Sequence, residues 1–200
     1  MKPLLAGLFV VWCVTAHAAT PVLESVEIIP AKKKSFASPT VIPLKTAEIV
    51  RVDLELGDSL DDLTLRLHSR EGVKADFIIE QSFETSLTVM EEGPHLDLLD
   101  WKHYNAPWQP LKKLRPTDFR TGTISEADSR KFPEVTPKEI QAIVAREGGA
   151  QLGKYVSKVK GPNDYPCGVG VSKIRFRIKM KEGTGEKVIK TIEFLVPMGC

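Results

Sequence analysis

The side chains with the most chemistry to offer lie in one stretch, Gly93 to Leu111, which reads GPHLDLLDWKHYNAPWQPL. His95, Asp97, Asp100 and His103 set two imidazoles and two carboxylates within nine residues. Such groups bind zinc, or act as a base and the group that orients it. The catalytic reading of the segment is therefore a metal-dependent or His/Asp hydrolase. The spacing does not bring all four together. In a strand His95, Asp97 and Leu99 share one face and Asp100 takes the other. No helical zinc motif, G-x-S-x-G elbow, S-x-x-K pair or cysteine nucleophile accompanies them. No metal site and no cofactor is assigned.

The same segment carries Trp101, Tyr104 and Trp108, with Pro107 and Pro110 on either side of the second tryptophan. Trp, Tyr and His combine a large face with a polar tip and anchor interfaces. Proline stiffens such a loop at low entropic cost. Trp101, His103, Tyr104 and Trp108 are thus candidate partner-binding residues. The competing reading is that the tryptophans plug the core beside a sheet end.

Charge supplies the second candidate surface. The formal net charge of the chain is only +2, against a dedicated nucleic-acid binder. The total hides two opposed halves. Ala19–Ala106 holds 16 acidic and 9 basic residues, whereas Pro107–Cys200 holds 10 acidic and 18 basic. Lys173, Arg175, Arg177, Lys179 and Lys181 alternate with Ile174, Phe176, Ile178 and Met180, so a strand projects all five cations from one face. A row of one sign steers an acidic protein or an anionic envelope polymer. Alternatively the cations guard an exposed strand edge or neutralise the acidic half.

These residues need a β-rich frame. Val50, Val52, Leu54 and Leu56 alternate with Arg51, Asp53 and Glu55, and Leu63, Leu65 and Leu67 with Thr64, Arg66 and His68. Period two predicts strands with one wet face. Val22–Ile29, Phe77–Glu80 and Phe83–Met90 are further strands, and residues 31–45 a long loop. The proline-rich stretch beyond Ala106 reads as loop. Ser125 opens a short helix, and Thr136-Pro137-Lys138-Glu139 a stronger one, with a capping box and proline at the first position. Ile140, Ile143 and Val144 share a face, Gly148-Gly149 ends the run, and Ala150–Lys160 is a second helix. Gly168-Val169-Gly170 reads as a turn into the basic strand, which a turn at Glu182–Gly185 joins to Val188–Val196 as a hairpin. The expected fold is α+β: a β-rich antiparallel sheet or sandwich with a short helical insertion around 125–160 and one C-terminal disulfide.

Residues 1–18 read as a secretory signal: a positive start at Lys2, an apolar run from Leu4 to Val14, and Ala16-His17-Ala18 before the cut. Eleven apolar residues are too few to span a bilayer, and no later run reaches eighteen. Cleavage leaves residues 19–200 as one domain with no transmembrane anchor, in the periplasm or secreted. Cys13 leaves with the signal, so Cys167 and Cys200 form the one available pair. Their loop of 34 residues is worth about 3.5–4 kcal/mol of chain entropy before strain.

In size, export signal and single-domain organisation the chain resembles the exported cognate inhibitors that bacteria keep against envelope-targeting toxins. That resemblance implies a non-enzymatic protein that occludes a protein partner in the cell envelope. An envelope-polymer binder and the hydrolase are the alternatives. Protein recovered from a periplasm is expected to begin at Ala19. Cys167 and Cys200 are expected to resist alkylation until reduced; intact-mass spectrometry with and without reductant checks both.

Overall fold

The structure, a computed structural model, describes residues 22–30, 40–44, 47–71, 75–90 and 95–198. The signal segment and Cys200 lie outside them. Among the described residues, twelve strands form two sheets. In chain order they are β1 (Leu23–Ile29), β2 (Thr40–Pro43), β3 (Ile49–Asp53), β4 (Thr64–Ser69), β5 (Phe77–Met90) and β6 (His95–Leu98). Then come β7 (Tyr104–Asn105), β8 (Gln109–Pro110), β9 (Lys112–Lys113), β10 (Asp118–Arg120), β11 (Cys167–Glu182) and β12 (Gly185–Leu195). Helices α1 (Glu126–Ser129) and α2 (Pro137–Tyr155) fill the insertion.

The smaller sheet runs β2-β1-β4-β10-β9. The larger runs β3-β12-β11-β5-β6, with β7 and β8 also on β5. The axis of the larger sheet is the β5–β11 pair, antiparallel from Phe77↔Met180 to Val89↔Cys167. One face of this pair is shared by two cores. Phe77, Ile79, Ile174, Phe176 and Ile178 meet Val26, Ile28, Leu65, Leu67 and Phe119 of the smaller sheet. Phe176 and Phe194 pack edge-on at 5.7 Å. Farther along, Leu87, Val89 and Cys167 meet Ile140, Ile143, Val144 and Leu152 of α2. Each fully buried aliphatic or Phe side chain contributes about 1.5–3 kcal/mol.

A bulge makes the shared face possible. The register slips between Val171 and Lys173. Before it the odd residues Cys167, Val169 and Val171 pack inward; after it the even residues Ile174, Phe176 and Ile178 do. Without the extra residue, Lys173 and Arg175 would be driven into the core.

Several expectations are corrected. The segment 168–172 is strand, because it pairs with the far half of β5. Phe77–Glu80 and Phe83–Met90 are one strand across the polar Gln81-Ser82. Within the expected loop 31–45 lies β2, held on β1. The proline-rich stretch contributes β8 and β9. The larger sheet is not wholly antiparallel, since β3 joins β12 in parallel. Leu56 lies past the end of β3 and is exposed. The expected Cys167–Cys200 disulfide falls partly outside the described residues: Cys167 is buried with no disulfide partner among them, and Cys200 is not described.

The helical insertion follows its sequence signals. Thr136 caps α2 and Glu139 reaches back to the Thr136 amide. Gly149 breaks the helix with φ 73° and ψ −176°, a conformation open essentially to glycine alone. No atom lies within 4 Å of a Cβ built there, so the constraint is backbone strain and not crowding. Gly149→Ala is expected to destabilise the protein by about 1–3 kcal/mol, measured by chemical denaturation.

Candidate functional site

The outer face of the larger sheet brings two residues of the aromatic segment, His103 and Trp108, to the basic row. Strands β6, β7 and β8 succeed one another along the same edge of β5, antiparallel to it. Between them the chain bulges at 99–103 and at 106–108. The bulges are pinned: Ser82 Oγ donates to the Ala106 carbonyl at 2.7 Å and Ala106 N to the Phe83 carbonyl at 2.9 Å. The second bulge lays Trp108 on the basic row, its ring 4.4 Å from the Arg177 guanidinium carbon and 5.7 Å from that of Arg175. The first brings His103 Nδ1 to 3.3 Å from Ser86 Oγ and 3.9 Å from Glu84 Oε1. Asn105 accepts from Arg175 Nη2 at 2.7 Å.

The basic row is not a bare stripe of charge. Lys173 pairs with Glu84 at 3.3 Å, Arg177 Nε with Glu80 at 2.8 Å, and Lys179 with both Glu80 at 2.8 Å and Glu186 at 3.0 Å. Lys181 meets Asp76 at 2.8 Å, as does Lys113 at 2.6 Å. Alternation puts Glu80, Ser82, Glu84 and Ser86 of β5 on this face, directly beside the cations of β11. Because β11 lies between β12 and β5, the row does not guard a strand edge. It neutralises carboxylates from the acidic half of the chain. Glu84 is more buried than Lys173, Arg175 or Arg177. Lys173, Arg175 and Arg177 therefore lie toward solvent, and with Lys179, which is as buried as Glu80, four cations stand against the two carboxylates Glu80 and Glu84.

The other aromatic residues divide. Trp101 packs at 6.2 Å from Phe132 beside the helical core, as the plug reading expected. Tyr104 packs at 6.1 Å from Phe83, with the Lys131 ammonium 5.8 Å over its ring. With Gln81, Pro107, Gln109 and Asp128 it lines a cavity of about 380 Å³.

The four possible ligands are not gathered. His95 Nε2 sits 2.9 Å from Asp97 Oδ1, which also accepts from Thr88 Oγ1 at 2.8 Å. Asp100 lies in the turn beyond β6. His95 pairs with Met90 of β5 while His103 reaches Ser86, a separation of about 13 Å along the strand at roughly 3.3 Å per residue. Among the described residues no group of three or more His, Cys, Asp or Glu side chains is placed to hold a metal ion.

Ser86, His103 and Glu84 are the residue types of an acyl-transfer triad, yet hydroxyl and carboxylate approach the same nitrogen of the imidazole. A relay needs them on opposite nitrogens. Ser86 is also fully buried and shares its hydroxyl with Ser172 at 2.8 Å. The set ties the edge strand to the sheet. Nor is Cys167 primed as a nucleophile, since burial and then the nearby Asp164 push its thiol up to about 11.

No family model, no curated protein and no solved structure matches this chain. No helix among the described residues is long and apolar enough to cross a membrane.

Two carboxylates of the site make it sensitive to acid. Burial alone would raise Glu80, but hydrogen bonds from Lys179 and Arg177 outweigh it and hold the group below its usual value. Hydrogen bonds from Lys113 and then Lys181 pull Asp76 down to about 2. Their stabilisation is complete above the unfolded values of about 4 and is lost as pH falls through the lower folded values. The melting temperature is expected to drop between about pH 4 and pH 2. Glu80→Gln should cost about 1–3 kcal/mol at neutral pH and flatten that acid slope, read by thermal melts across pH 2–7.

Proposed function

We propose that the chain is an exported, non-enzymatic protein-binding module, of the cognate-inhibitor kind, that occludes a protein partner in the cell envelope. The observation that carries this reading is the stack of Trp108 on Arg177 and Arg175 at the outer face of the larger sheet. Trp, Tyr and Arg are the residues that dominate binding energy at protein interfaces. Here Trp108 sits in a bulge flanked by Pro107 and held by strand pairing on either side, so little side-chain freedom remains to be lost on binding. Cations outnumbering the carboxylates beneath them give the face the polarity to steer an acidic partner.

Export and the Cys167–Cys200 disulfide belong to the same reading. After β12 the described chain keeps to the flank of β11. Val196 N donates to the Ser172 carbonyl at 2.9 Å, and Met198 Cε lies 3.6 Å from a Cβ built on Gly170. That path runs toward the start of β11, where Cys167 sits, which supports the pairing. An envelope polymer is the other occupant that this cationic face suits.

The test is capture from native envelope with the disulfide-intact mature chain. One stoichiometric protein is expected, and Trp108→Ala should weaken the complex by about 1–3 kcal/mol. Arg177→Gln should slow association and blunt its salt dependence. Neutralisation is the better variant, because reversal would set a new carboxylate against Glu80. A tight complex indifferent to both changes would sink the site. Salt-released retention on peptidoglycan or lipopolysaccharide, without a protein partner, would favour the polymer.

A further inference from the structure

A second surface, away from the Trp108 face, is the outer edge of β6. It is the last strand of the larger sheet, and among the described residues nothing pairs with its far side. A cavity of about 460 Å³ opens along it, lined by consecutive residues 96–101 and by Ile143, Arg146 and Glu147 of α2. Successive strand side chains point to opposite faces. A cavity touching Leu96, Asp97 and Leu98 in turn therefore follows the edge of the strand and not one face of it. Leu96 and Leu98 turn toward the helical core, Trp101 closes one end, and Leu99 is 48% exposed.

At four residues the edge is short, but it lacks two of the usual defences. His95-Leu96-Asp97-Leu98 has no lysine and no proline, the residues that normally blunt an open edge. The groove's charge is only partly matched. Glu147 pairs with Arg146 at 2.8 Å, while Asp97 meets the His95 ring, which adds a cation only when protonated. Asp100 has no ion pair among the described residues, so the groove is left with an excess of negative charge.

We propose that β6 and α2 form a docking groove for an extended segment of a partner protein. The segment adds as a further strand beside β6. Its alternate apolar side chains lie between strand and helix, and a basic side chain meets Asp100. Main-chain hydrogen bonds supply affinity, while the groove's pockets and the unpaired Asp100 carboxylate supply selectivity.

The probe is a set of acetylated, amidated seven-residue peptides: alternating Val and Lys, alternating Val and Glu, and the Val/Lys peptide with proline at its centre. Binding to the mature chain is read by fluorescence anisotropy, and backbone protection by hydrogen exchange. The Val/Lys peptide is expected to bind and to slow exchange in β6 while leaving the other edge, β3, unchanged. The proline peptide, which cannot pair, should bind about tenfold more weakly or not at all. Asp100→Asn, at an exposed turn, should weaken the Val/Lys peptide about tenfold with an unchanged melting curve. The proposal is overturned if no peptide binds, if Val/Glu binds as well as Val/Lys, or if protection falls outside β6. It is also overturned if centrifugation shows a dimer of the free chain with β6 already protected, for the occupant is then a second copy. Loss of the Trp108 interface leaves all of these outcomes unaffected, so the two readings fail separately.

Discussion

Everything else in this molecule hangs on the pairing of β5 with β11. These two strands are long enough that one partner layer cannot cover them. The smaller sheet covers one half of their inner face and α2 the other. Two cores thus rest on a single ladder of backbone hydrogen bonds. The bulge at Ser172 reconciles the apolar phase of the two halves. It turns a strand that would bury lysine into one that buries only apolar groups on both sides of the slip.

The outer face of the same pair solves a different problem. A central strand bearing five cations needs partners close by, because desolvating unpaired charge is costly. β5 supplies Glu80 and Glu84 at the right register. The charge asymmetry along the chain is therefore a spatial pairing and not a separation into poles. The smaller sheet uses the same device, with Arg66 of β4 set between Glu27 of β1 and Asp118 of β10. Over the larger ladder the edge chain bulges twice, and each bulge delivers a side chain: His103 to the Ser86 hydroxyl and Trp108 to the guanidinium pair.

Much of the frame was legible. Strict alternation marked β3, β4 and the basic half of β11. The capping box and Gly148-Gly149 marked the start and break of α2. The glycines on either side of Val169 suggested a turn into the basic strand. Local composition alone could not show that β5 offered a partner long enough to keep that segment extended. The short strands β7 and β8 were hidden for the same reason, since Pro107 and Pro110 argue for loop while pairing with β5 overrides them.

The candidate residues divide along this line. Their types and their contacts were read separately. Trp101 and Trp108 look alike in sequence, yet one plugs the helical core and the other lies on a guanidinium. His95 and His103, eight residues apart, fall to different stretches of β5. The sequence by itself determined which residues alternate, where helices begin and break, and that cations share one strand face, because these follow from local periodicity and backbone stereochemistry. Only the tertiary structure decided that Trp108 and His103 share a face with the basic row while Trp101 and Tyr104 do not, that carboxylates of β5 pair the row from beneath, and that among the described residues nothing pairs with the far side of β6. Those depend on strand order and register, which are set by contacts between residues distant along the chain.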